Sequence, residues 1–343
     1  MQDMREMPGV ANSLIWRDGE VVDDDVSPAD LEAAVLDPDT LAWVDLVAPT
    51  KTELDFIGER LGLRATAIED ALAAHERPKV TRHADHLFFT VYAAQLAHPR
   101  DDDLRRLAVS RVSGFVLPNA LITVRLDDRI DIRPVVARWR DNADLLASGP
   151  GALVHGLLDT VVDGHFTTIQ QLDDAIEELE DELFAERAHG REFALRIYRI
   201  RKDLVALRRV VLPMREVVGA LQRHRPTFAA SGLTSMRSEL DSWFDDLYDH
   251  VLRASEWTES LRDLISSVFE TNLSLQDQRL NDIMKQLAAW AAIIAVPTAI
   301  TGWFGQNVPY PGFGLASGVW LTAGLIILCS LGLYVAFKRK GWL

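Results

Sequence analysis

Leu287 to Phe304 is a run of 18 residues without a charge, and it ends at Gly305-Gln306-Asn307. At about 1.5 Å of rise per residue, a helix of that length covers roughly 27 Å, close to the hydrocarbon thickness of a bilayer. Stepping by three or four residues through this run and the turn before it collects Asn281, Met284, Ala288, Ala291, Ala295, Thr298 and Gly302. These residues are small or mildly polar. The other side carries Trp290, Ile293, Ile294, Ile300 and Trp303. Bulky apolar side chains suit lipid, whereas a stripe of small residues permits close helix contact or lines a water-filled lumen. The stripe alone does not choose between these two. At its end, Asn307 offers a short, uncharged side-chain oxygen and Gly305 a backbone free to turn. An ordinary helix C-cap uses the same two residue types.

The elements that must position these groups follow from composition. The chain of 343 residues has 25% charged residues and a mean hydropathy of +0.02, which suits a soluble body averaged with two apolar spans. A second uncharged run, Ser317 to Phe337, follows the first after 12 residues that are themselves uncharged. Arg279 and Lys285 precede the first span, and Lys338, Arg339 and Lys340 follow the second. The positive-inside rule then places both termini in the cytoplasm and the turn outside. The opening MQDMREMPGV has no apolar core, so no signal peptide is expected. A net charge of −15 argues against nucleic acid as a partner. The single cysteine, Cys329, falls in the second span, which excludes a disulfide within the chain and a cysteine-based zinc site.

Residues 1–150 read as mixed α/β. Ser27-Pro28 fits the start of a helix through Leu36, LAWVDL (41–46) a strand, and Pro49-Thr50 the start of a helix stopped by Gly62. Strands are expected over 87–95, 107–117 and 120–125, the last two joined by a Pro118-Asn119 turn, so the sheet is at least partly antiparallel. No dinucleotide fingerprint, phosphate loop or nucleophile elbow appears, and no set of nucleophile, base and oxyanion donor can be assembled, so an enzyme is not expected. His83 and His86, if on a strand, point to opposite faces and share no metal. His75, at an expected helix end, reads as a capping residue.

Residues 151–235 read as an antiparallel helical hairpin and a linker. Eight acids fall within 173–186, the segment 191–216 is basic, and His189-Gly190 separates the two. Pro226, Ser231 and Gly232 suggest the linker. A stalk helix is then expected over 236–304, continuing into the first span. Along it Phe244, Leu247, Val251, Leu261, Ile265, Val268 and Leu275 recur at near-heptad spacing, which predicts self-association. The turn 305–316, the second span 317–337 and a basic tail 338–343 complete the chain.

NDIMKQLAAWAAIIAVPTAITGWFGQN, with Gly-x-Asn between two C-terminal spans, resembles the CorA family of divalent-cation channels. WFDDLYDHVLRASEWTESLRDLISSVFE (243–270) resembles that family's stalk helix, IEDALAAHERPKV (68–80) a segment of its cytoplasmic domain, and KRKGWL (338–343) its tail. The family's signature is Gly-Met-Asn, and here Gln306 holds the middle place.

The resemblance implies an α/β cytoplasmic domain, a long helical stalk and two transmembrane helices in a funnel-shaped homopentamer of the plasma membrane. It implies that the first span lines the pore, with Asn281 at the cytoplasmic side, Met284 and Leu287 as an apolar constriction, Ala288, Ala291 and Ala295 along the lumen, and Thr298 and Gly302 above. Gly305, Gln306 and Asn307 would form the filter. Magnesium releases its waters reluctantly, so such a filter would hold the hydrated ion through side-chain and backbone oxygens. Asp70 and Asp246 match the paired carboxylates of a regulatory magnesium site between subunits, with Asp249 and Glu270 at further acidic stalk positions. The implied ion is Mg²⁺. Zn²⁺, Co²⁺ or Ni²⁺ is the alternative, because branches with an altered middle residue move zinc. A non-conducting membrane-anchored sensor is the reading from another class.

Overall fold

The structure is a computed structural model and describes residues 10–23, 28–37, 39–97, 107–146, 148–183, 191–230, 240–306, 309 and 312–343. Two compact units are present, Met1–Ser266 and Ser267–Leu343.

In the first unit, seven strands form one sheet: β1 (Val10–Arg17), β2 (Glu20–Asp23), β3 (Thr40–Val47), β4 (Lys79–Arg82), β5 (Leu87–Leu96), β6 (Leu107–Val116) and β7 (Ala120–Arg125). Their order is β2-β1-β3-β7-β6-β5-β4, antiparallel except for the β3–β7 pair. Successive strand residues point to opposite faces, and both faces are covered. Trp16, Trp43, Phe89, Val91 and Leu121 pack against helices α4 (Arg133–Asp141), α5 (Ala143–Leu146), α6 (Pro150–Leu183), α7 (Arg191–Ala230) and the start of α8 (Asp241–Phe304). Val44, Phe88, Phe115 and Ile122 face α1 (Pro28–Leu36), α2 (Lys51–Leu61) and α3 (Ala65–Leu72). Across β5 and β6, Phe89 lies opposite Gly114, where an added Cβ would meet the ring at 2.3 Å. The glycine is therefore a packing requirement of the sheet.

Local signals explain the ends of α2. Thr50 caps it and forms a reciprocal box with Glu53, and Gly62 closes it in the left-handed conformation at φ 71°. The Pro118-Asn119 turn is closed by Leu117 N–H donating to the Ala120 carbonyl at 2.8 Å. Ser27, read as a cap, lies outside the described residues. α7 continues through Pro226 to Ala230, where the sequence suggested a linker; residues 231–239 lie outside the described set. In the helical hairpin the complementary charges do meet, with Arg196 contacting Glu178 and Glu182.

The stalk departs from expectation in what its apolar stripe does. Phe244, Leu247 and Val251 lie in the core of the first unit, packed with α6, α7 and the sheet. The near-heptad spacing there serves burial within the chain, so it carries no argument for self-association. α8 runs on without a break for 64 residues, about 96 Å at helical rise.

The second unit contains the remainder of α8 and α9 (Ala316–Arg339). Each has a segment long and apolar enough to cross a membrane, and almost none of either segment is buried within the chain. Pro297 lies inside α8 without ending it. It cannot serve the Ile293 carbonyl, and the Thr298 hydroxyl donates to the neighbouring Ile294 carbonyl at 3.1 Å. The turn into α9 is glycine-dependent: Gly312 has φ +90°, and a Cβ at Gly318 would lie 2.4 Å from the Gly312 carbonyl oxygen.

Candidate functional site

The expected pore-facing side of α8 is open along its whole length. Asn281, Met284, Leu287, Ala288, Ala291, Ala295, Thr298 and Gly302 are all exposed. The bulky residues do not form one lipid face. Trp290, Ile294 and Trp303 are exposed, whereas Ile293 and Ile300 are half-buried along with Val296 and Pro297, and Ala289 is fully buried. The helix thus has a half-covered edge distinct from its small-residue stripe.

At the C-terminal end of α8, the Gly305 N–H donates to the Thr301 carbonyl at 2.8 Å and the Gln306 N–H to the Trp303 carbonyl at 3.3 Å. Gly305 does not adopt a positive φ. Its need is space: a Cβ there would sit 3.0 Å from the Thr301 carbonyl oxygen. Gln306 is exposed, and Asn307 lies outside the described residues.

The acidic candidates differ in setting. Asp70, on α3, is ion-paired with Lys79 at the start of β4, Nζ–Oδ2 2.8 Å. Asp246 projects from α8, 66% exposed, with His250 Nδ1 3.7 Å from its Oδ2. Asp249 and Glu270 are exposed on the same helix. Among the described residues, no three side chains of the metal-ligating types gather into a set that could hold an ion. Carboxylate oxygens are the right donors for a hard divalent cation. Lys79 is the functional neighbour that the sequence reading passed over; its position nine residues beyond Asp70 gave no periodic signal, because a helix end and a turn lie between them.

The two histidines of the H-x-x-H correct another expectation. They flank the tight β4–β5 turn, with His83 N–H donating to the His86 carbonyl at 2.9 Å, and their rings stack at 4.6 Å between centroids. A hairpin turn, unlike a strand, brings positions i and i+3 together. His75 is exposed beyond the end of α3 and makes no capping hydrogen bond among the described residues. His86 is fully buried, and neither ring nitrogen has a hydrogen-bond partner among the described residues.

Burial, then the charge of His83, pushes the His86 pKa from 6.5 down to about 4, with Asp85 opposing and Arg64 adding to the push. His165, buried with Nε2 2.8 Å from the Tyr92 carbonyl, is pushed by burial to about 4 as well. Between about pH 6.5 and 4 the unfolded chain therefore binds more protons than the folded one, and stability falls as pH drops through that window. Above pH 6.5 the effect is absent. Each group contributes roughly 2–3 kcal/mol of acid destabilisation. His86→Leu removes one of them and leaves no orphaned polar atom, so its thermal midpoint should equal the parent's at pH 8 and exceed it at pH 4.5. Parallel pH curves for the two proteins would show that His86 does not resist protonation.

With this geometry in place, likeness to known proteins becomes informative. A family model described as CorA-like Mg²⁺ transporter protein matches residues 38–339. The chain belongs to this family. It is 28% identical over 312 residues to the cobalt/magnesium transport protein CorA of Thermotoga maritima, covering 90% of this chain and 85% of that protein. It is 24% identical over 290 residues to the zinc transport protein ZntB of Pectobacterium carotovorum, covering 81% and 80%. The complete structure of the CorA magnesium transporter from Methanocaldococcus jannaschii superposes with a TM-score of 0.74 at 25% identity, covering 96% of this chain and 98% of that one. The α/β unit, long helix and two C-terminal apolar helices are thus the CorA architecture, and the family is one of divalent-cation transporters.

Proposed function

We propose that this CorA-family chain forms a homopentameric, membrane-embedded channel that passes Mg²⁺, with both termini cytoplasmic. The observation that carries the reading is the small-residue stripe of α8, exposed without interruption from Asn281 to Gly302 and ending at Gly305-Gln306. Two spans per chain cannot enclose a hydrophilic path. Several copies arranged about an axis can, each presenting this stripe inward.

In that arrangement Asn281 rings the cytoplasmic entrance. Met284 and Leu287 form an apolar constriction that gates by dewetting. Ala288, Ala291, Ala295, Thr298 and Gly302 line the lumen. Gly305, Gln306 and Asn307 hold the hydrated ion at the outer mouth, where amide oxygens accept hydrogen bonds from the ion's waters. Asp70 and Asp246, from adjacent copies, form a regulatory cation site in the soluble part, with Asp249 and Glu270 adding negative charge along the stalk.

Zn²⁺, with Co²⁺ and Ni²⁺ beside it, is the second reading. Gln306 in the middle filter position and the likeness to a zinc transport protein favour it. Uptake into liposomes holding the purified protein, with Mg²⁺, Zn²⁺, Co²⁺ and Ni²⁺ in competition, decides between them. Absence of any divalent flux would instead support the membrane-anchored sensor.

The lumen assignment has its own test. In a Cys329→Ser background, cysteine at Ala291 or Thr298 should react with membrane-impermeant, channel-permeant thiol reagents, and cysteine at Ile294 or Trp303 should not. Ile294 and Trp303 carry bulky apolar side chains suited to lipid. Equal labelling of the two pairs, or the reverse order, would remove the basis for the pore face.

A further inference from the structure

Asp70 is not a bare carboxylate. Its Oδ2 lies 2.8 Å from Lys79 Nζ, and Glu76 Oε1 lies 3.3 Å from the same ammonium. The arrangement is fixed from both sides. Lys79 opens β4, where it pairs with Thr90 of β5, and Pro78 before it restricts the approach of the chain. Tyr92 of β5 donates its hydroxyl to the Glu76 carbonyl. Arg111 of β6, itself buried, donates to the carbonyls of Ala71 and Ala73 and so holds the end of α3 that carries Asp70. The lysine is thus anchored through β4 to β5, and the helix end that carries the aspartate to β6, the strand beside it. Their side chains are only 25% and 30% exposed. Burial by itself would lower the Lys79 pKa, but the hydrogen bonds and charges of Asp70 and Glu76 outweigh it and hold the value above the ordinary 10.5.

We propose that Lys79 is a resident counter-ion that competes with the regulatory divalent cation for Asp70, an inference that rests on Asp70 being a ligand of that site. A divalent ion arriving at Asp70 either displaces the ammonium or tolerates a like charge a few ångströms away, and both weaken its binding. Glu76 makes displacement feasible. It already contacts Nζ, so the lysine can withdraw to it without being left partly buried and unpaired. The site then works by exchange: Lys79 on Asp70 when the divalent ion is scarce, Lys79 on Glu76 when the ion is bound. In this way the lysine sets the cation concentration at which the ion takes over.

The experiment is thermal unfolding of the purified full-length protein in detergent, titrated with MgCl₂ at constant ionic strength. Lys79→Met should lower the half-saturating Mg²⁺ concentration about tenfold, the scale expected for removing one unit charge beside a half-exposed site. Lys79→Gln is a second neutral variant should the methionine protein fold poorly. Lys79→Arg keeps the charge and should stay near the parent midpoint. Glu76→Gln removes the alternative partner and should move the midpoint upward. Asp70→Asn separates this inference from the reading beneath it. If Asp70→Asn abolishes the Mg²⁺ response while both neutral lysine variants keep the parent midpoint, the competitor is refuted and the ligand role of Asp70 stands. If Asp70→Asn keeps the parent midpoint, both are overturned.

Discussion

Replacing Asn307 by alanine is expected to leave the oligomer assembled and to lower divalent flux at least about tenfold. The replacement removes one amide oxygen per copy at the point where the first span ends. Each hydrogen bond from an ion's water to such an oxygen is worth about 0.5–1.5 kcal/mol, and the loss repeats in every copy around the axis, so two lost contacts already approach a tenfold change. An uncharged amide suits a fully hydrated Mg²⁺ because it accepts from the waters without stripping them. Assembly should survive, because an alanine beyond the last turn of α8 removes no buried group of the soluble unit. The measurement is Mg²⁺ uptake into liposomes at matched protein content, with oligomer size checked by light scattering. Parent-like flux from an assembled Asn307→Ala protein would remove Asn307 from the filter.

How much of this molecule was legible in its sequence differs from element to element. The ends of α2 were readable because Thr50, Glu53 and Gly62 act through local backbone geometry, which needs no tertiary partner. The β6–β7 hairpin was readable for the same reason. The apolar spans were readable because a bilayer imposes length and composition directly on the chain. The stalk stripe was misassigned because periodicity reports that a face is covered and not what covers it: Phe244, Leu247 and Val251 are covered by their own chain. The His83–His86 stack was missed because it depends on a turn that brings two near neighbours side by side, whereas the argument from spacing considered the pair only as it would lie on a strand. Lys79 was missed for a related reason. Its bond to Asp70 spans a helix end and an irregular connection, and neither residue type announces a partner by spacing.

The same limit applies to the candidate sites. The small-residue stripe is a property of one helix, so the sequence displays it whole. The site proposed between Asp70 and Asp246 of adjacent copies would be a property of two chains, and no spacing within one sequence could display it. What one chain adds is the Lys79–Asp70 ion pair, the observation on which the proposed exchange between cations rests.

The largest effect on stability is expected away from either site, at Asp45. This carboxylate is fully buried on β3 and meets Arg125 on the parallel strand β7, Nη2–Oδ2 2.6 Å, with Nε 3.1 Å from Oδ1. Thr123 donates to Oδ1 at 2.8 Å and Asn12 to Oδ2 at 3.2 Å, so both oxygens are satisfied. Burial alone would lower the Arg125 pKa, but its bonds to Asp45 and Asp128 hold it above its ordinary value. Asp45→Ala leaves a guanidinium that is 2% exposed without its buried partner, and among the described residues Asp128 at 3.1 Å and the Ile130 carbonyl at 2.8 Å remain to compensate. Breaking a buried pair on one side costs about 3–5 kcal/mol. The contrast is Lys51–Asp55, whose ions are also 2.6 Å apart but are 73% and 40% exposed, where Asp55→Ala should cost about 0–1 kcal/mol. At equal distance, burial alone decides between the two. Thermal unfolding of the full chain should therefore drop by many degrees for Asp45→Ala and hardly at all for Asp55→Ala. Equal shifts for the two variants would mean that the guanidinium of Arg125 finds water or another acid once Asp45 is gone, and that the pair does not hold β3 and β7 in register.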